Sequence, residues 1–163
     1  MQHSESIDKI MPALAAVHAA AGPIEKSQTN DTQHYTYANL EAYLNVVRPL
    51  LEEHGLFVVT SAPEIQPSTG RLTAKGTQQN GVYVRLVFTL HHTSGQWIEV
   101  EAWGEGQDSG DKAVYKATTG ARKYGVAMLF GLVTTDDPEK DSHNGNGKPA
   151  KAGTPLPNTD DLL

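Results

Sequence analysis

The alternation of apolar and polar positions along the chain changes period twice. Ile7, Ile10, Met11, Leu14, Val17 and Ala21 recur at helical spacing and stop at Gly22-Pro23, which predicts a first helix with Pro12 in its first turn or at a kink. Leu40, Tyr43, Leu44, Val47, Leu50 and Leu51 predict a second, closed by Gly55 and bent or shortened by Pro49. From Leu56 the period is two: Leu56 to Ser61 is short and β-rich, Pro63 and Pro67 mark a break, and Leu72, Ala74 and Gly76 alternate with polar neighbours. Val82, Val84, Leu86, Phe88 and Leu90 then alternate with Tyr83, Arg85, Val87, Thr89 and His91, and a turn at Thr93-Ser94-Gly95 leads to a strand from Trp97 to Trp103. The helical period returns after Gly110. The expected class is therefore α+β, an antiparallel β-meander packed by a helix (β-β-β-α) with helices before it.

The last helix carries the most chemistry. Asp108, Ser109 and Gly110 form a polar turn ahead of it, and Asp111 is expected in its first turn, at the positive end of the helix dipole. At about 100° per residue, Lys112, Lys116, Thr119 and Lys123 fall within about 60° of arc, while Ala113, Val114, Ala117, Ala121, Tyr124 and Met128 share the opposite side. Gly120 and Gly125 each cost roughly 1 kcal/mol relative to alanine in a helix interior. Close packing of the helix on the sheet would compensate them and leave the lysines outward as a ridge.

Composition narrows the classes. At 163 residues the chain suits one domain, taken as residues 1–137, followed by an Asn/Gly/Pro/Lys-rich tail, 138–163, expected to be disordered. The absence of cysteine excludes disulfides and cysteine metal sites, and the alanine-rich stretch Met11 to Ala21 is not a membrane or secretory segment, so a cytoplasmic protein is expected. The net charge of -6 argues against a nucleic-acid binder, but from Asp136 onward six acids face three lysines, so half of it lies in the tail and its approach. The body can still carry a basic stripe.

The run GEGQDSGDKAVYKATTGARKYGVAMLFGLVTTDDPEKD, Gly104 to Asp141, resembles the signature of the Erf family of phage-type recombination proteins that anneal complementary single strands. The resemblance spans Ile7 to Asp141. It includes Lys26 and Asn30, where the family carries Lys and Asn, and the Tyr35-x-Tyr37-x-x-Leu40 lead-in to the second helix. The element order and Ala121-Arg122-Lys123-Tyr124-Gly125 are similar, more distantly, to the wider annealing superfamily. The resemblance implies a cytoplasmic protein of a bacterial host cell that binds single-stranded DNA and anneals it in phage homologous recombination, without ATP or another cofactor. It also implies a ring or filament of copies, with a single-stranded-DNA-binding protein or a phage exonuclease as candidate partners.

On that footing Lys112, Lys116, Arg122 and Lys123 are the first candidates for phosphate contacts and Tyr115 for base stacking, with Lys26, Arg71, Lys75 and Arg85 as further contacts. Tyr35 and Tyr37 are either stacking platforms or structural aromatics. If the sheet face bearing Arg71, Lys75, Tyr83 and Arg85 borders the lysine ridge, the two form one cationic groove. Asp160, Asp161, Leu162 and Leu163 resemble the partner-docking tail ends of bacterial single-stranded-DNA-binding proteins.

Two other classes compete with this reading. A non-enzymatic adaptor for host recombination factors would bind no oligonucleotide. A metal-dependent nuclease would use Asp108, Asp111, Asp136, Asp137 and Asp141 as oxygen donors to a hard cation, although the first two also suit a helix start. His91 and His92 point to opposite faces of a strand and so do not share an ion. No enzyme activity and no bound metal are expected.

Overall fold

The computed structural model describes residues 2–30 and 35–135. The expectations for the tail, including Asp136, Asp137, Asp141, Asp160, Asp161, Leu162 and Leu163, lie outside them. The architecture is α+β. Helix α1 (Ile10–Ala20) is followed by a small hairpin, β1 (Gln28–Asn30) and β2 (Tyr35–Tyr37), and by helix α2 (Leu40–Glu53). Strands β3 (Leu56–Thr60), β4 (Glu64–Ser68), β5 (Asn80–His92) and β6 (Trp97–Asp108) then build one antiparallel sheet, and α3 (Ala113–Leu129) packs on it.

Strand β5 is the axis of this sheet. On one edge it pairs with β6 from Asn80↔Asp108 to His91↔Trp97; on the other it pairs with β4 and then β3. Its alternation sorts the two faces: Val84, Leu86, Phe88 and Leu90 are buried with Leu56, Ile98 and Ala102, and buried residues of all three helices join them in one cluster. The other face carries Phe57, Val59, Tyr83 and Trp103, each at least two-fifths exposed.

Helix ends have identifiable causes. Asn39 caps α2 by accepting from the Ala42 N–H at 2.9 Å. Gly55 ends it at φ 64°, a conformation open to glycine at little cost. Pro12 stands in the first turn of α1, where a missing N–H costs nothing, whereas α2 continues through Pro49 to Glu53. The start of α1 is held from a distance: Gln96 Oε1 accepts from the Lys9 and Ile10 N–H groups at 2.8 and 3.0 Å. Asp8 accepts from Gln96 Nε2 and from Ser6 Oγ, both at 2.6 Å, and these bonds pull its carboxyl down from 3.8 to about 2, Ser6 contributing most.

Several expectations are corrected. Leu72 to Gly76 is not a strand but the tip of the β4–β5 connection, closed by Thr73 N–H to Thr77 O and turned at Gly76. The strand is instead Glu64–Ser68, and Pro67 is tolerated because β4 is an edge strand. The segment after Ile24 holds a hairpin rather than only a loop. Strand β6 runs past Trp103 to Asp108, and α3 begins at Ala113, so Asp111 precedes its first turn.

Candidate nucleic-acid interface

The position of α3 follows from residues with almost no side chain. Gly104 and Gly106 sit on the buried face of β6 beneath Ala113, Ala117 and Ala121. A Cβ at Gly104 would collide with Ala117 O and Ala121 N, and one at Gly106 with Ala113 O and Ala117 N. Backbone thus lies on backbone. Gly125 makes room in the same way for the Phe88 ring, whereas Gly120 has open space around it, so close packing explains only one of the two helix glycines. Tyr124 and Met128, expected on the packed side, are 57% and 62% exposed. The alanines and Gly125 take that side because larger groups could not approach the strand.

Seating α3 on its small residues turns the lysines outward. Tyr37, Asp111, Lys112, Tyr115, Lys116, Thr119 and Lys123 line a shallow groove of about 860 Å³ between the β1–β2 hairpin and the outer side of α3. Tyr115 is 72% exposed. Lys123 Nζ lies 5.1 Å from the centre of the Tyr124 ring, a cation–π contact at the groove's far end. Lys116 is partly neutralised: its Nζ pairs with Asp108 Oδ2 and donates to Gln107 O at 3.1 Å. Asp108 Oδ1 in turn accepts from the Gly110 N–H at 2.8 Å and the Lys112 N–H at 3.4 Å. The Lys116 ammonium, then the Gly110 amide, hold the Asp108 carboxyl below its usual range.

The expected groove between sheet and ridge does not form. Arg85 is on the sheet face opposite α3, where it pairs with Glu101 and with Glu64 at 2.9 Å. Those two carboxylates, Glu101 first, raise the guanidinium's pKa. Arg71 pairs with Glu105 at 3.1 Å, and Lys75 is exposed in the β4–β5 connection. Arg122 lines a separate cleft between α2, β3 and α3. Lys26 is half-buried ahead of β1 and is not among the groove's lining residues. The structure therefore joins Lys112, Tyr115, Lys116 and Lys123 with Tyr37 and separates them from Arg122, Arg71, Lys75, Arg85 and Lys26. The Asp108–Lys116 pair has no sequence signal of its own, because Asp108 and Asp111 both suit a helix start.

No three His, Asp or Glu side chains among the described residues stand where they could hold a metal ion together. His91 stacks on Phe57 with ring centres 5.0 Å apart, and His92 Nδ1 lies 2.8 Å from Ser94 Oγ. No described helix is long and apolar enough to cross a membrane.

A comparison with curated proteins finds no match. The family model of the ERF superfamily matches residues 10–161, beyond Asp141 where the resemblance read from sequence stops, and so takes in Asp160 and Asp161. With that match running along nearly the whole chain, over the strand glycines, the lysine ridge and the tail alike, the protein belongs to the ERF superfamily, a family of DNA recombination and strand annealing.

Proposed function

We propose that this protein binds single-stranded DNA along the outer side of α3 and anneals complementary strands, working as an oligomer, without a nucleotide cofactor and without making or breaking covalent bonds. One observation carries the reading: Lys112, Lys116 and Lys123 share a single open groove with Tyr115 and Tyr37. Lysine ammonium groups suit phosphates, whose neutralisation releases counterions, and exposed tyrosine rings offer faces on which any base can stack. A strand held by its backbone keeps its pairing edges available to a complement. Copies arranged side by side would keep successive segments in register.

The test is binding and annealing of labelled complementary oligonucleotides across a salt series. Each lost phosphate contact lowers the slope of log K against log salt by about 0.7 for a single strand, so Lys112→Ala with Lys123→Ala should lower it by about 1.4 and slow annealing. An unchanged slope and rate would refute the assignment. Cleavage of the oligonucleotide with Mg²⁺, abolished by Asp108→Ala, would replace annealing with nuclease chemistry.

A further inference from the structure

A second concavity lies between α2, β3 and α3, about 680 Å³ and well within the size range of ligand pockets. Its floor is apolar, with Leu44, Val47, Val126 and Phe130 among the residues that line it. Two cations, Arg48 and Arg122, stand among these residues together with Glu52, and neither arginine makes an ion pair with a described residue. An apolar floor beside unpaired guanidinium groups is a poor match to a hydrated phosphate chain and a good one to a short peptide with aliphatic and acidic side chains together.

The chain contains such a peptide in Asp160-Asp161-Leu162-Leu163. We propose that this segment docks in the cleft of its own chain, its leucines on the apolar floor and its aspartates on Arg48 and Arg122. Reach is sufficient. Phe130 is a lining residue five positions before Thr135, so the described chain ends no more than about 19 Å from the cleft wall. The connecting residues 136–159 can span up to roughly 80 Å. Tethering makes the encounter intramolecular, so even weak contacts suffice to fill the cleft. Glu52 would repel the two carboxylates, which places them on the arginine side.

The absence of cysteine makes crosslinking in the full chain direct. Glu52→Cys at the cleft rim is combined with Thr159→Cys beside the segment, and the reference pair is Ser94→Cys, at the exposed β5–β6 turn, with Thr159→Cys. Under mild oxidation the rim pair should close an intramolecular disulfide at least about tenfold faster than the reference pair, because docking raises the local thiol concentration. Leu162→Asp with Leu163→Asp should slow the rim pair at least about fivefold by removing its apolar anchor and leave the reference pair unchanged. Arg48→Glu with Arg122→Glu should act in the same direction. Equal rates for the two pairs, indifference to the leucine changes, or a disulfide formed only between copies would each overturn the proposal. No DNA enters the experiment, so its outcome is independent of the annealing assays.

Discussion

The close approach of α3 to β6 is tested by a pair of glycine-to-alanine substitutions expected to act in opposite directions. At Gly104 the added methyl meets Ala117 O and Ala121 N, which are backbone atoms that cannot rotate away, so the whole helix must move off the strand. Overpacking of this kind costs about 1–3 kcal/mol. Alanine's restriction of the unfolded chain returns about 0.4–1 kcal/mol, too little to cancel it. At Gly120 nothing lies within 4 Å of the added methyl, so only the helix-propensity gain of about 1 kcal/mol remains. For a chain of this size each kcal/mol moves the midpoint about 2–4 °C. Thermal unfolding followed by circular dichroism should therefore show Gly104→Ala several degrees below the parent and Gly120→Ala about 2–4 °C above it. If Gly104→Ala unfolds at or above the parent midpoint, the packing account of α3 is wrong, and with it the reason the lysines face outward.

Arg85→Ala should leave oligonucleotide affinity within about twofold of the parent, since Arg85 is held by Glu101 and Glu64 on the far face of the sheet, and a larger loss would place DNA there. Asp108→Asn should release Lys116 from its ion pair, tightening binding at low salt and steepening its salt dependence; weaker binding would mean that Asp108 serves the site mainly by shaping the turn before α3. Asp8 and Asp108 both have carboxyls depressed below 3.8, so their contributions are fully present above that pH and are lost as pH falls through the lowered values, about 2 for Asp8. Asp8→Asn should therefore flatten the loss of stability measured between about pH 5 and 2, and an unchanged profile would remove Asp8 from the clamp on α1.

The elements legible in the sequence are those whose burial is one-sided. β5 alternates strictly because one face meets the helices and the other does not, and α2 shows a clean apolar stripe for the same reason. Errors fall where that logic weakens. β4 is almost wholly exposed, so its side chains carry no inward pattern, and Pro67 argues against a strand unless the edge position is known. The extension of β6 through Gly104-Glu105-Gly106 was hidden because its inward residues are glycines, which hydrophobic periodicity counts as breaks. The lysine ridge was legible as an angle on a helical wheel. Its company was not, since only the pairing of β4 and β6 with β5 decides that Arg85 and Arg71 find glutamates instead of the groove.

That pairing also bears on how a chain of net charge -6 can present a local group of lysines. Glu64, Glu99, Glu101 and Glu105 share the open sheet face with Arg85 and Arg71, so four acids meet two arginines that are already neutralised locally. Lys112, Lys116 and Lys123 stand on the opposite side of the sheet, with Asp108 and Asp111 beside them. The lysine ridge and the glutamate-rich face thus lie on opposite sides of the sheet, although α2 adds Glu41, Glu52 and Glu53 to the helix side. Under the proposed function, a strand on α3 meets the ridge without crossing those sheet glutamates, an attraction stronger at low ionic strength than at high. Net charge averages over both faces, so the proposal rests on the local grouping of Lys112, Lys116 and Lys123 and not on the sum.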